Sequence, residues 1–248
     1  MKQSSGQPIT LESKAEKYAA HLMGESLDDG FLPGWRRTIS YLRSRGLDGD
    51  EGRRIAQKYQ LGFVNPAEPA DRRFAEMLAI PYYTQAGVVD IKYRCTRDHD
   101  CKAYAREHDP SHAKYSKASG SETWIFNPRA FFEADDTLGV AEGEIDAIVA
   151  TEYLGIPTIG VPGVEAWTAY GKVWKHLMRE DYARVLVFVD GDEPSQSHPE
   201  GAGYEFARAV AQDVGPVTHL VRCLRGEDVA SMVASGRGDI LRERAGLI

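Results

Sequence analysis

From residue 137 onward the apolar positions alternate regularly between short runs and longer amphipathic stretches. LGVAEG is a short apolar run, and EIDAIVATEYLG places Ile145, Ile148 and Val149 on one helical face. IPTIGVPG reads as a strand and loop, EAWTAYGKVWKHLMRE as a helix and RVLVFVD as a strongly β-branched strand. GYEFARAVAQDV is a further helix, VTHLVRC a fourth strand, and a short helix follows from Glu227 to about Ala234. Apolar runs bounded by turn residues predict strands, whereas apolar stripes at helical spacing predict helices. Strands that alternate with helices of this length imply right-handed crossovers and a mostly parallel sheet. Ligands of such sheets bind beyond the C-terminal ends of the strands.

The first half follows a different pattern. Residues 11–24 and 34–46 read as helices, the second with Trp35, Ile39 and Leu42 on one apolar stripe and Gly46 as its stop. LDGDEGRRIAQKYQLG reads as a third short helix ended by Gly62. The period then changes, and MLAIPYYTQAGVVDIKYR forms two β-type runs around a glycine-containing turn, a hairpin. A polar insertion dotted with Cys and His occupies 95–112, and KYSKASGSETWIFNP follows as an irregular basic stretch. The chain thus divides into a disordered lead at 1–10, a smaller α+β part at 11–130 and an α/β part at 131–248.

Acidic residues mark three of the four strand ends in the second part. LGVAEG ends on Glu142, with Glu144 and Asp146 just after it, RVLVFVDGD ends on Asp190 and Asp192, and VTHLVRCLRGED leads to Glu227 and Asp228. In extended backbone, residues i and i+2 project to one side. Asp190 and Asp192 therefore form a pair able to hold one cation, with Gly191 letting the backbone turn sharply. Asp146 falls on the first turn of the following helix, where it can favour the helix N-terminus and still face the site. Oxygen-only ligands select hard cations such as Mg²⁺.

Charge distribution strengthens this picture. The net charge is −7, yet residues 1–130 hold 20 Lys/Arg against 17 Asp/Glu while residues 131–248 hold 10 against 20. A basic-leaning half joined to an acidic half suits a backbone-gripping surface and a metal site. Lys92, Arg94, Lys114 and Lys117 form a basic strip that could hold the phosphates of a nucleic-acid backbone or a nucleotide. Tyr82, Tyr83 and Trp124 are candidates for stacking bases, although aromatics beside strands usually belong to a core. The three cysteines are too few and too odd for a disulfide framework, which fits a reducing, cytoplasmic location. Cys95, His99, Cys101, His108 and His112 offer the ligand types of a small zinc site at a spacing unlike a standard finger. No run approaches the about 18 apolar residues of a membrane span, and the polar N-terminus lacks a signal-peptide core.

The ordered set VAEGEIDAIVA, VFVDGDE and RGEDVASMV resembles the TOPRIM domain shared by bacterial and phage DNA primases, topoisomerases, OLD-type nucleases and RecR-type recombination proteins. The family pattern of a glutamate after the first strand and Asp-x-Asp after the third falls on Glu142, Asp190 and Asp192. The further acidic motif of primases falls on Glu227 and Asp228. Ser231 stands where phage primases often have another aspartate. Upstream, ISYLRSRGLDGDEGRRIAQKYQLGFVNP, IPYYTQAGVVDIKYR and KYSKASGSETWIFNP are similar to successive segments of primase polymerase domains, extending the resemblance over about 38–235. It implies a C-terminal TOPRIM domain with a Rossmann-like sheet, preceded by the α+β subdomain.

The activity it implies is a nucleotidyltransferase making RNA primers from NTPs on single-stranded DNA. Mg²⁺ or Mn²⁺ would be held by Glu142, Asp190, Asp192 and Asp228, with Asp146 as a further ligand. Glu142 is also the candidate base for the 3′-hydroxyl. The chain contains no GxxxxGK[ST] phosphate loop, so a replicative helicase would be a separate partner, and a phage-encoded protein would act in its host's cytoplasm. Two other activities share the motifs, a TOPRIM nuclease and a non-catalytic, RecR-like DNA-binding recombination protein.

Overall fold

A computed structural model describes residues 10–24, 33–120, 122–169 and 172–248. The expected lead at 1–10 therefore lies, apart from Thr10, outside the described residues. The chain forms two compact units, one of Met1–Tyr41 with Arg53–Ser121 and the other of Leu42–Gly52 with Glu122–Ile248. Among the described residues no helix is long and apolar enough to cross a membrane.

In the first unit, helix α1 (Leu11–Met23) is opened by Thr10, whose hydroxyl accepts from the Ser13 amide, and closed by left-handed Gly24. Its buried face, Ala15, Tyr18, His21 and Leu22, follows the helical period. Helices α2 (Pro33–Ser44) and α3 (Gly49–Lys58) come next. An antiparallel sheet then forms in the order β1 (Gly62–Phe63), β2 (Leu78–Thr84), β3 (Gly87–Arg94), β4 (Tyr115–Lys117). The β2–β3 hairpin is the expected one, with a bulge between Tyr82 and Tyr83.

Gly62 differs from expectation. It does not end α3 but pairs with Ala79 in β1, and a Cβ there would lie 2.4 Å from that of Tyr18. The glycine is needed so that α1 can approach the sheet, where Ala15 and Tyr18 join Val64, Phe74, Ala79, Ile91 and Tyr93 in one core. Tyr82 is buried and Tyr83 is hydrogen-bonded to Gln60, so both serve the fold. The Cys/His insertion contains an unanticipated helix, α4 (Cys101–Glu107).

Burial sets a pH response in this unit. The His21 side chain is 5% exposed, and burial lowers its pKa despite the opposing attraction of Glu68. The neutral ring must charge as the chain unfolds in acid. Stability is thus fully present above the unfolded value of about 6.5 and is lost as pH falls through the depressed folded value. His21→Gln is expected to flatten the fall in melting temperature below about pH 6.5; an unchanged slope would assign that fall to other groups.

The second unit is α/β, as expected. Strands β5 (Thr137–Ala141), β6 (Thr158–Gly160), β7 (Arg184–Val189) and β8 (Thr218–Arg222) form a wholly parallel sheet ordered β6-β5-β7-β8. Between them run α5 (Ala130–Glu133, before β5), α6 (Glu144–Tyr153), α7 (Gly163–Ala169), α8 (Lys172–Asp181) and α9 (Ala202–Val214), with α10 (Val229–Ala234) and α11 (Gly238–Arg244) last. The stretch read as a helix over 165–180 is helical throughout its described residues, in α7 and α8, while positions 170 and 171 lie outside them; α11 was not anticipated. Val185, Val187 and Val189 face a core with Trp167 of α7, Met178 of α8 and Phe206 and Val210 of α9. Leu186 and Phe188 are buried on the opposite face of the strand. Coverage of both faces explains why these strands read as continuous apolar runs.

Candidate active site and metal-ligand clusters

The chain leaves β5 toward β6 on one side and leaves β7 toward β8 on the other, so the crevice between neighbouring β5 and β7 is the sheet's switch point. Glu142 follows β5 directly, and Asp190 and Asp192 follow β7. The two parts of the expected constellation thus stand at the C-terminal ends of adjacent strands. Glu227 and Asp228 lie on the loop after β8, with Asp228 as the N-cap of α10.

Backbone bonds knit these loops together. Cys223 donates to the Val189 carbonyl (2.9 Å), Gly191 to that of Glu227 (2.8 Å) and Gly226 to that of Gly191 (2.7 Å). Gly191 is therefore required for a reason other than a sharp turn. Its φ is not positive, but a Cβ would lie 1.9 Å from the Leu224 carbonyl oxygen. Gly203, in the first turn of α9, similarly lets the helix meet the Asp190 backbone, and its amide donates to Asp192 Oδ2 at 3.2 Å.

The carboxylates differ in what surrounds them. Asp146 is buried, and its Oδ1 accepts from the Ala230 amide at 2.9 Å, so it caps α10. Asp228 Oδ1 accepts from the Ser231 amide at 2.8 Å, and the Ser231 hydroxyl meets the Asp228 amide in a capping box. Arg45 Nη1 lies 2.7 and 2.5 Å from the two Asp228 oxygens. Burial works to raise the Asp228 pKa, but Arg45 and Ser231 outweigh it and hold the group below the ordinary value. Asp190 has the opposite balance. Burial first, then the charges of Asp146, Asp228, Glu142 and Asp192, push its carboxyl well above the usual range. Burial, and then the charges of Asp190, Asp146 and Asp228, raise the Cys223 thiol. A concentration of negative charge offering only oxygen donors fits a hard divalent cation. Asp146 and Asp228 are engaged in capping and in the Arg45 pair. Arg45 lies 183 positions from its partner; no local pattern marks that pairing.

In the first unit, Lys92 stands opposite Lys117 and Arg94 opposite Tyr115 across β3 and β4. Lys92, Arg94 and Lys114 gather around the Tyr115 ring at 4.2, 4.8 and 5.9 Å. Arg94 is buried, bonded to the Tyr115 hydroxyl and stacked over Tyr41, whereas Lys114 and Lys117 are exposed. Four of the five Cys/His candidates also come together, since ligand atoms of Cys95, His99, Cys101 and His112 all lie within 4.8 Å of one another. His108 is not among them; it is exposed, its ring 4.9 Å from that of Tyr104.

No family model matches the chain. The Gene 57 protein of Mycobacterium phage D29 is 35% identical over 175 residues, spanning 67% of this chain and 96% of that protein. Among solved structures, a DNA primase domain from Pseudomonas aeruginosa superposes with a TM-score of 0.64 at 18% identity, over 94% of this chain and 76% of that one. The RNA polymerase domain of Mycobacterium tuberculosis primase DnaG gives 0.62 at 19% identity, over 94% and 80%. A DnaG primase catalytic domain bound to single-stranded DNA gives 0.57 at 16%, over 94% and 80%. The chain belongs to the family of the phage D29 Gene 57 protein, and its fold is that of the TOPRIM-containing catalytic core of DnaG primases.

Proposed function

We propose that this chain is a primase-like nucleotidyltransferase that joins ribonucleotides on a single-stranded DNA template, with Mg²⁺ or Mn²⁺ held by Glu142, Asp190 and Asp192. The observation that carries the reading is the position of Asp190 at the β5–β7 crevice, where burial and then four further carboxylates raise its pKa. The cation would neutralise the nucleotide phosphates and the departing pyrophosphate. Asp190 and Asp192 hold the cation, and the α9 amide of Gly203 fixes the Asp192 rotamer. Glu142 completes the ligand set or accepts the proton of the primer 3′-hydroxyl. Arg45 and Ser231 keep Asp228 ionised behind these ligands, where its charge adds to the attraction for the cation.

Template phosphates would meet Lys92, Lys114 and Lys117, with Arg94 holding Tyr115 in place between them. Like charges directly opposite on paired strands destabilise a sheet, so the Lys92–Lys117 pairing favours a surface that meets an anion. Work on replicating DNA places the protein in the cytoplasm, beside a separate helicase.

The test is Mg²⁺-dependent incorporation of labelled ribonucleotides on single-stranded DNA. Cleavage of DNA without incorporation would replace this reading with a nuclease. DNA binding with neither activity would replace it with a recombination-type binding protein. A second expected result concerns the strip. Lys92→Gln with Lys117→Gln should lower the log–log salt slope of single-strand binding by about 1.4, at about 0.7 per phosphate contact. Anisotropy titrations across salt concentrations read this directly, and an unchanged slope would remove both lysines from the interface.

A further inference from the structure

The first unit contains a small substructure that its apolar residues do not account for. Helix α4 has no buried residue, and a helix of seven residues is not stable in water by itself. Something other than a hydrophobic core must hold it between β3 and β4. Asp100 starts the helix by accepting from the Lys102 and Ala103 amides, which sets Cys101 at its first position. Cys95 follows β3 directly and is tied by its amide to the Lys114 carbonyl at 2.9 Å. His99 lies in the connection before the helix and His112 in the one after it.

We propose that Cys95, His99, Cys101 and His112 form a structural zinc site that fastens α4 and the β3–β4 connection. Cys95 Sγ lies 3.7 Å from His99 Nε2, and His99 Nε2 lies 2.9 Å from His112 Nε2. A tetrahedral ion with bonds of about 2.3 Å to sulfur and about 2.0 Å to nitrogen separates such atoms by about 3.5 and about 3.3 Å. The four groups are thus already near the corners of one coordination sphere. As zinc binds, each of the two thiols releases its proton to solvent and ligates as a thiolate, so the occupied site is neutral overall. Four protein ligands leave no open position, which makes the site structural. The Tyr104 ring orients both imidazoles, with centroids 4.7 Å from His99 and 4.9 Å from His112. The site fixes the end of β3, which carries Lys92, and the start of β4, which carries Lys117 and is preceded by Lys114. It is independent of the acidic centre, and zinc content measures it whether or not primers are made.

Elemental analysis of the full chain, purified with reductant and without chelator, is expected to find about one zinc per chain. Cys101→Ser and His112→Ala should each reduce this at least about tenfold, whereas His108→Ala should leave it unchanged. Replacement by Co²⁺ should give the intense visible bands of a tetrahedral sulfur–nitrogen site, a result that needs no variant to fold. Zinc-free parent protein, zinc retained by a Cys101→Ser, His112→Ala double variant, or the weak spectrum of octahedral Co²⁺ would each overturn the proposal.

Discussion

Replacing Asp190 with asparagine is expected to lower Mg²⁺-dependent ribonucleotide incorporation by at least about a thousandfold, equivalent to about 4 kcal/mol of transition-state stabilisation. The substitution keeps the size of the side chain and removes the charge at the centre of the acidic group. Because Asp190 faces Asp146, Asp228, Glu142 and Asp192, the neutral variant should be at least as stable as the parent without metal. Added Mn²⁺ should then reverse the order. A ligand at a hundred times its dissociation constant stabilises a folded protein by about 2.7 kcal/mol, which the parent would gain and the variant would not. Melting curves with and without Mn²⁺, run beside the incorporation assay, separate a lost cation site from a damaged fold. A variant that loses stability without metal, or keeps the Mn²⁺ gain, would contradict the assignment of Asp190.

Gly191→Ala should be the most damaging single methyl addition at the site. The new Cβ would sit 1.9 Å from the Leu224 carbonyl oxygen and 2.7 Å from its carbon, so backbone must move. The segment that moves leads to Glu227 and Asp228, and Gly191 also exchanges backbone bonds with Glu227 and Gly226. The expected cost exceeds the about 1–3 kcal/mol of ordinary overpacking, with activity lost as Asp190 and Asp192 are displaced. Gly226→Ala is the control. Its φ of 75° strains an alanine, but nothing lies within 4 Å of the new Cβ, so about 1–2 kcal/mol is expected. Urea unfolding of both variants decides the matter, because equal costs would mean that the close approach is not what demands Gly191.

Gly191 shows where local reading stops. Asp-Gly-Asp at a strand end identified the pair of carboxylates, since i and i+2 share a side in any extended segment. It suggested a turn as the reason for the glycine, and the reason is a second loop from more than thirty positions away. Gly62 is the same case, read as a helix stop and required by the approach of Tyr18.

The sequence by itself determined the parallel α/β second half, the antiparallel hairpin and the placement of Glu142, Asp190 and Asp192 at strand ends. Side-chain period and β-branching act over a few residues and are written in the chain. Tertiary structure alone decided the strand order that makes Glu142 and Asp190 neighbours, the pairing of Arg45 with Asp228, the burial of Arg94 and the exclusion of His108 from the Cys/His group. Each of these depends on contacts between segments far apart in the chain. Spacing carries no information about such contacts until the core has brought the segments together.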